Sequence, residues 1–262
     1  MTAQPAQPAA RPRSPFDLTG RCAVVTGAGR GLGQAIALGL AQAGADLVLL
    51  GRPGSQSATR DRLSVFGAKV ETVDLDVSDH DAVERVAARV NSDHQVDILV
   101  NNAGIIDRAD SVDVSRQSWN RVVDVNLNAL FLLCQQFGGP MTERGHGKIV
   151  NVASLLSFQG GLRVAAYAAS KHGVAGVTKA LANEWAPLGV QVNAIAPGYM
   201  NTDNTTALRA DPDRSRAILE RIPAGRWGDA SDIAGAAVFL SSAAADYVNG
   251  HVLVVDGGWM AR

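Results

Sequence analysis

Short runs of adjacent apolar residues alternate along the chain with longer stretches in which apolar residues recur every three or four positions. RCAVVTG, ADLVLLG, AKVETVDLDV, VDILVNNAG, GKIVNVAS, GVQVNAIAPG and GHVLVVDGG read as strands. GLGQAIALGLAQAG, SDHDAVERVAARVNS, SRQSWNRVVDVNLNALFLLCQQF, the segment holding YAASK and GDASDIAGAAVFLSS read as helices, the second capped by Ser78. Strands apolar on both faces, each followed by a helix, predict right-handed βαβ units. The expected fold is α/β: one doubly wound, Rossmann-type parallel sheet of about seven strands, with helices on both faces. Ligands of such sheets bind beyond the carboxyl ends of the strands. Those ends fall at 26–27, 50–51, 76–77, 101–104, 153–154 and 197–198. Residues 199–222 are polar, interrupt the alternation and read as an inserted flap over that edge. Residues 1–15, rich in Pro, Ala and Gln, read as a disordered arm ahead of a domain over 16–262.

Composition narrows the function classes. The 262 residues carry a net charge of -1 and only 5% aromatics. That balance gives no electrostatic case for nucleic acid or an anionic membrane. No apolar run spans a membrane and the N-terminus lacks the apolar core of a signal peptide, so a soluble, cytoplasmic protein is expected. Two cysteines, Cys22 and Cys134, lie in apolar runs, and the five histidines show no ligand spacing. Neither a disulfide framework nor a metal is expected.

Chemistry concentrates at the predicted strand ends. TGAGRGLG follows the first strand and opens the first helix. Gly27 and Gly31 allow a tight turn and close approach to a pyrophosphate, Gly33 allows helix and strand to pack, and the helix N-terminus offers amides to an anion. An acidic residue at the end of the second strand would select a ribose 2′-hydroxyl. Here Gly51 and Arg52 stand there, with Arg30 in the glycine loop beside them. Two guanidiniums and no carboxylate favour a 2′-phosphate, hence NADP(H). Tyr167 and Lys171 lie one helical turn apart on one face, opposite Ser154 at the end of the fifth strand. An ammonium about 4 Å from a phenol is worth about 4 kcal/mol, or about 3 pK units, enough to bring the phenol toward general acid–base work.

TGAGRGLG, DVSD, NNAG, Asn126, Ser154, YAASK and the Pro197-Gly198 pair occur in that order. Together they resemble the short-chain dehydrogenase/reductase family, from about residue 16 to the end. The resemblance implies a nicotinamide-dependent oxidoreductase with Asn126, Ser154, Tyr167 and Lys171 as catalytic tetrad, Asn126 ordering a relay water. It implies cofactor contacts from the glycine loop, including Leu32, from Asp76 and Val77 at the adenine, and from Asn102, Ala103 and Gly104 at the ribose. Pro197, Gly198, Met200 and Thr202 are implied at the nicotinamide end. SLLSFQGGLRVAAYAASKHGV, NAIAPGYMNTDNT and RIPAGRWG resemble a branch of the family acting on keto-deoxy sugar acids, usually with NAD(H). The resemblance thus implies NAD(H) where the charges imply NADP(H). A sugar-acid substrate needs a carboxylate anchor and hydroxyl partners, for which Gln159, Arg163 and Asn204 are the candidates. The family also implies a homotetramer. Two rival readings are a reductase of 3-oxoacyl thioesters on a carrier protein and a nucleotide-sensing binding module.

Overall fold

The computed structural model describes residues 14–262; the first thirteen residues of the expected arm and the side chain of Asn204 lie outside the described residues. Seven strands form one parallel sheet: β1 (Cys22–Thr26), β2 (Asp46–Gly51), β3 (Val70–Asp74), β4 (Ile98–Asn101), β5 (Gly147–Val152), β6 (Val190–Pro197) and β7 (Val252–Val255). Their order is β3-β2-β1-β4-β5-β6-β7. The chain winds outward from β1, then returns to β4 and winds the other way, so the carboxyl ends of β1 and β4 flank a crevice.

The helices are α1 (Gly31–Gln42), α2 (Ser57–Leu63), α3 (His80–Asp93), α4 (Arg116–Val123), α5 (Ala129–Arg144), α6 (Ala165–Trp185), α7 (Thr206–Ala210), α8 (Pro212–Arg221) and α9 (Ser231–Ser241). Successive strand residues point to opposite faces, and both faces are covered. Val24, Val48 and Leu99 pack with α3, α5 and α6, whereas Val25, Leu49 and Val100 pack with α1 and α9. Each fully buried side chain of this size contributes about 1.5–3 kcal/mol, which explains why the strands read as near-continuous apolar runs.

The structure departs from the sequence expectations at identifiable places. Helix α2 lies in a stretch with no predicted element, because it is polar and buries only Thr59 and Leu63. Asp79, not Ser78, caps α3: its carboxylate accepts from the Ala82 amide at 2.9 Å, while the Ser78 hydroxyl donates to Asp76. The single long helix expected over 115–137 is two helices joined by a π-helical turn, Asp124–Asn128. It also runs on to Arg144, through Gly138, where a Cβ would come within 2.5 Å of the Trp185 ring. Pro15, assigned to the arm, belongs to the folded body: its carbonyl accepts from Ala244 and the adjacent Phe16 packs on Phe239. The flap is helical. Ile218 and Ile222 dock against Leu155 and Trp259 in a small third core, with Tyr199 and Trp227 beside them.

Burial pushes the Cys22 thiol up to about 11 and the Cys134 thiol to about 12, so neither is a nucleophile at neutral pH. At the opposite edge from the crevice, Lys148 is buried and its Nζ donates to Asp246 at 2.6 Å. Burial lowers the Lys148 pKa and the Asp246 bond pulls it back up. Removing the carboxylate strands a buried cation, whereas removing the cation leaves an exposed carboxylate. Asp246→Asn is therefore expected to cost on the order of 1–2 kcal/mol, and Lys148→Met less, as read by urea unfolding.

Candidate active site

The glycine loop is braced from β4. Thr26 Oγ1 accepts from the Asn102 and Ala103 amides at 2.9 and 3.0 Å, and Asn102 Nδ2 donates to the Thr26 and Gly27 carbonyls. The Asn102 side chain thus supports the loop. Gly27 and Gly31 adopt φ of 63° and 55°, conformations that favour glycine. A Cβ on Gly33 would come within 2.3 Å of the Gly27 carbonyl and 2.4 Å of Asn102 Nδ2. No side chain caps the first-turn amides of α1. An uncapped helix start behind a glycine cradle fits a dinucleotide pyrophosphate. Gly33→Ala is expected to weaken NADP(H) binding at least about tenfold and lower stability by about 1–3 kcal/mol, measured by fluorescence titration and thermal unfolding.

Across the groove, the flap root approaches the loop: Thr202 Cγ2 lies 3.8 Å from where a Gly31 Cβ would stand. Gly198 packs against Asp256 so closely that a Cβ would meet its Cα at 2.6 Å, and Met200 is buried. At the end of β2, Gln56 is buried and donates to the Gly51 and Val73 carbonyls at 2.8 and 3.0 Å. A side chain at 51 would collide with Ser55 Oγ at 2.9 Å, which leaves little room there for the carboxylate that selects a 2′-hydroxyl. Arg52 is exposed and its charge reaches Asp76, whose carboxyl is held below the usual range chiefly by Ser78. Val77 is buried under that turn.

Asn126 occupies the π-helical turn, a local widening often found at functional sites. Its side chain bridges two elements: Oδ1 accepts from the Ile105 amide at 2.8 Å, and Nδ2 donates to the Ile105 carbonyl and to Ser170 Oγ. Gly104 admits this contact, since its Cβ would fall 3.2 Å from Oδ1. The amide thus ties the loop after β4 to α6 one residue before Lys171.

Ser154, Tyr167 and Lys171 converge at the crevice. Ser154 Oγ accepts from the Leu156 amide at 3.1 Å. Lys171 is buried, its Nζ donates to the Val152 carbonyl at 2.6 Å, and it lies 5.6 Å from the Tyr167 ring centroid. Burial lowers the ammonium to about 8. The electrostatics differ from the sequence expectation. Burial pushes the Tyr167 phenol up, and the groups that draw it down are the Ser154 hydrogen bond and Arg108. Lys171 Nζ stands within cation–π range of the Tyr167 ring, while its ammonium donates to a backbone carbonyl and is itself destabilised by burial.

Arg108, absent from the sequence-derived candidates, follows β4 on a loop tied to the α6 approach by the Ala109 amide bonding the Arg163 carbonyl. Its pKa is lowered by burial and by Arg214, and its charge acts on Tyr167 and Tyr199. Arg214 lies on α8, one turn before the docked Ile218, and its charge acts on Arg108 and Tyr199. Tyr199 feels Arg214, Arg221 and Arg108. The expected anchors lie elsewhere: Arg163 pairs with Asp110 at 3.1 Å on the rim, in a left-handed conformation (φ 65°), and Gln159 Oε1 accepts from Trp259 Nε1 at 3.2 Å. Gln159 so ties the site loop to the C-terminal turn. Among the described residues, no group of three His, Cys, Asp or Glu is placed to hold a metal ion, and no helix is long and apolar enough to cross a membrane.

Comparison with known proteins agrees with this geometry. The family model described as Enoyl-(Acyl carrier protein) reductase matches residues 27–260. The chain is 55% identical over 247 residues to 2-dehydro-3-deoxy-D-gluconate 5-dehydrogenase of Bacillus subtilis, covering 94% of this chain and 97% of that protein. A crystal structure from Agrobacterium tumefaciens with bound NADP, provisionally described as a 2-deoxy-D-gluconate 3-dehydrogenase, is 58% identical with a TM-score of 0.90 and covers 95% of this chain and 100% of its own. One from Beutenbergia cavernae with NADP at low occupancy, provisionally described as an NAD(P)-dependent gluconate 5-dehydrogenase, is 53% identical with a TM-score of 0.93 over 95% and 100%. With a glycine cradle at β1, a Ser-Tyr-Lys cluster at β5 and α6, and relatives of this identity over nearly its whole length, the chain belongs to the short-chain dehydrogenase/reductase family of nicotinamide-dependent oxidoreductases.

Proposed function

We propose that this enzyme interconverts a ketone and a secondary alcohol on a small sugar acid of the keto-deoxy-gluconate type. The observation that carries the substrate class is the guanidinium of Arg108, whose charge acts on the Tyr167 phenol, with Arg214 of α8 acting on Arg108 and on Tyr199. Positive charge from two elements, one of them felt by the proton-transfer hydroxyl, suits an anionic substrate. The names of the relatives above support the same class. Arg108 takes the anchoring role expected of Arg163, and the flap over 199–222 serves as the lid of the substrate site.

The nicotinamide, when bound, supplies or accepts the hydride. Gly27, Gly31, Leu32 and Gly33 would hold its diphosphate end, Arg30, Arg52, Asp76 and Val77 its adenosine side, and Thr202 with Pro197 and Gly198 the other end. In reduction, Tyr167 gives its proton to the carbonyl oxygen while the Ser154 hydroxyl steadies that oxygen; in oxidation the proton returns. Lys171 supplies positive charge beneath the ring, and Asn126 positions the helix that carries both. The enzyme acts in the cytoplasm as a homotetramer. Partly exposed Trp119 and Phe131 on α4 and α5 support burial of that face against another copy. Light scattering reads the mass.

The test is absorbance of reduced nicotinamide with both cofactors against keto-deoxy sugar acids, gluconate, neutral polyols and 3-oxoacyl thioesters. Turnover of the acids above the neutral polyols is expected. Turnover confined to thioesters overturns the reading in favour of a 3-oxoacyl carrier-protein reductase.

A further inference from the structure

The two arginines at the ribose end of the groove each have an acidic neighbour. Arg30 Nη1 donates to Asp203 Oδ2 at 2.7 Å, with side chains 72% and 70% exposed. Asp203 directly follows Thr202, which overlies Gly31, so the pair joins the flap root to the glycine loop across the mouth of the groove. Arg52 feels Asp76 only through its charge, since the Asp76 carboxylate is bonded to Ser78. A 2′-phosphate approaching Arg30 therefore meets a guanidinium already engaged and a carboxylate that repels it. A 2′-hydroxyl meets neither a competitor nor repulsion. The pair is exposed and thus weak, so it tunes the preference without closing the site to either cofactor.

We propose that Asp203 is a cofactor-specificity residue: by holding Arg30, it narrows the advantage of NADP(H) over NAD(H). The proposal rests on the reading that Arg30 faces the 2′-phosphate. It accounts for a site whose arginines favour one cofactor in a family branch expected to use the other.

The test is fluorescence titration of NADPH and NADH, without substrate, on the full chain and on Arg30→Ala, Asp203→Asn and the double variant. Arg30→Ala is expected to weaken NADPH about tenfold and to leave NADH within about twofold. Asp203→Asn is expected to raise the NADPH-over-NADH preference about fivefold in the parent, and by less than about twofold in the Arg30→Ala background. An unchanged preference in Asp203→Asn, or an equal change in both backgrounds, overturns the role of the pair. If Arg30→Ala leaves NADPH affinity intact, the underlying reading of Arg30 fails, and the proposal with it.

Discussion

Tyr167→Phe is expected to lower kcat by about 10³-fold or more while leaving thermal stability and NADPH affinity unchanged. The substitution removes one hydroxyl from a crevice wall and leaves the ring packed in α6. The lost group is the one that Ser154 and Arg108 both act upon, so no neighbour inherits its proton chemistry. Ser154 has a hydroxyl, but it accepts from the Leu156 amide and has no base beside it. The pH dependence follows from the phenol. Burial holds it above its ordinary value, so it is protonated at neutral pH and ready to act as an acid. Ketone reduction should stay level at neutral pH and fall as the phenol ionises; alcohol oxidation should rise over the same range. Lys171, lowered to about 8, loses its ammonium as pH rises through that value, which limits the alkaline gain in oxidation. Measurable turnover by Tyr167→Phe within tenfold of the parent, with cofactor bound, would overturn this assignment.

Much of this architecture was legible in the residues. β1, β2, β4, β5 and β6 are buried on both faces, and such strands leave short near-continuous apolar runs bounded by turn residues. The glycine loop was legible because backbone geometry demands glycine at 27 and 31, whatever the rest of the chain does. What failed were features decided by contacts distant in sequence. The cap of α3 turned on Asp76 capturing the Ser78 hydroxyl, leaving Asp79 to take the helix amides. The π-helical turn at Asn126 depends on Ile105 and Ser170, far apart along the chain. Helical spacing sets Lys171 beside Tyr167, but spacing cannot show that the ammonium is directed to the Val152 carbonyl. Arg108 was passed over for a similar reason. It stands four residues beyond NNAG in a stretch without periodicity, and only the bond from the Ala109 amide to the Arg163 carbonyl ties that loop to the approach to α6. Arg163 lies in the loop expected to border the pocket, but its guanidinium pairs with Asp110.

Arg108→Ala should therefore have the second-largest effect. A guanidinium hydrogen-bonded to a carboxylate contributes about 1.5–3 kcal/mol, so kcat/KM for the sugar acid is expected to fall roughly 10–150-fold, mostly through KM. A neutral polyol of the same length has no carboxylate to lose and should be affected less than about threefold. Arg108→Lys keeps the charge without the planar fork and should recover part of the loss. The same substitution carries a second signature, because Arg108 also draws the phenol of Tyr167 down. Without it the phenol ionises later, and the rise of alcohol oxidation with pH should move to more alkaline values in Arg108→Ala but not in Arg108→Lys. An arginine that only steadied its loop would weaken acid and polyol alike and leave the pH profile in place. Steady-state kinetics on both substrates across pH separates these outcomes, and equal losses on the two substrates with an unmoved profile would remove Arg108 from the substrate site.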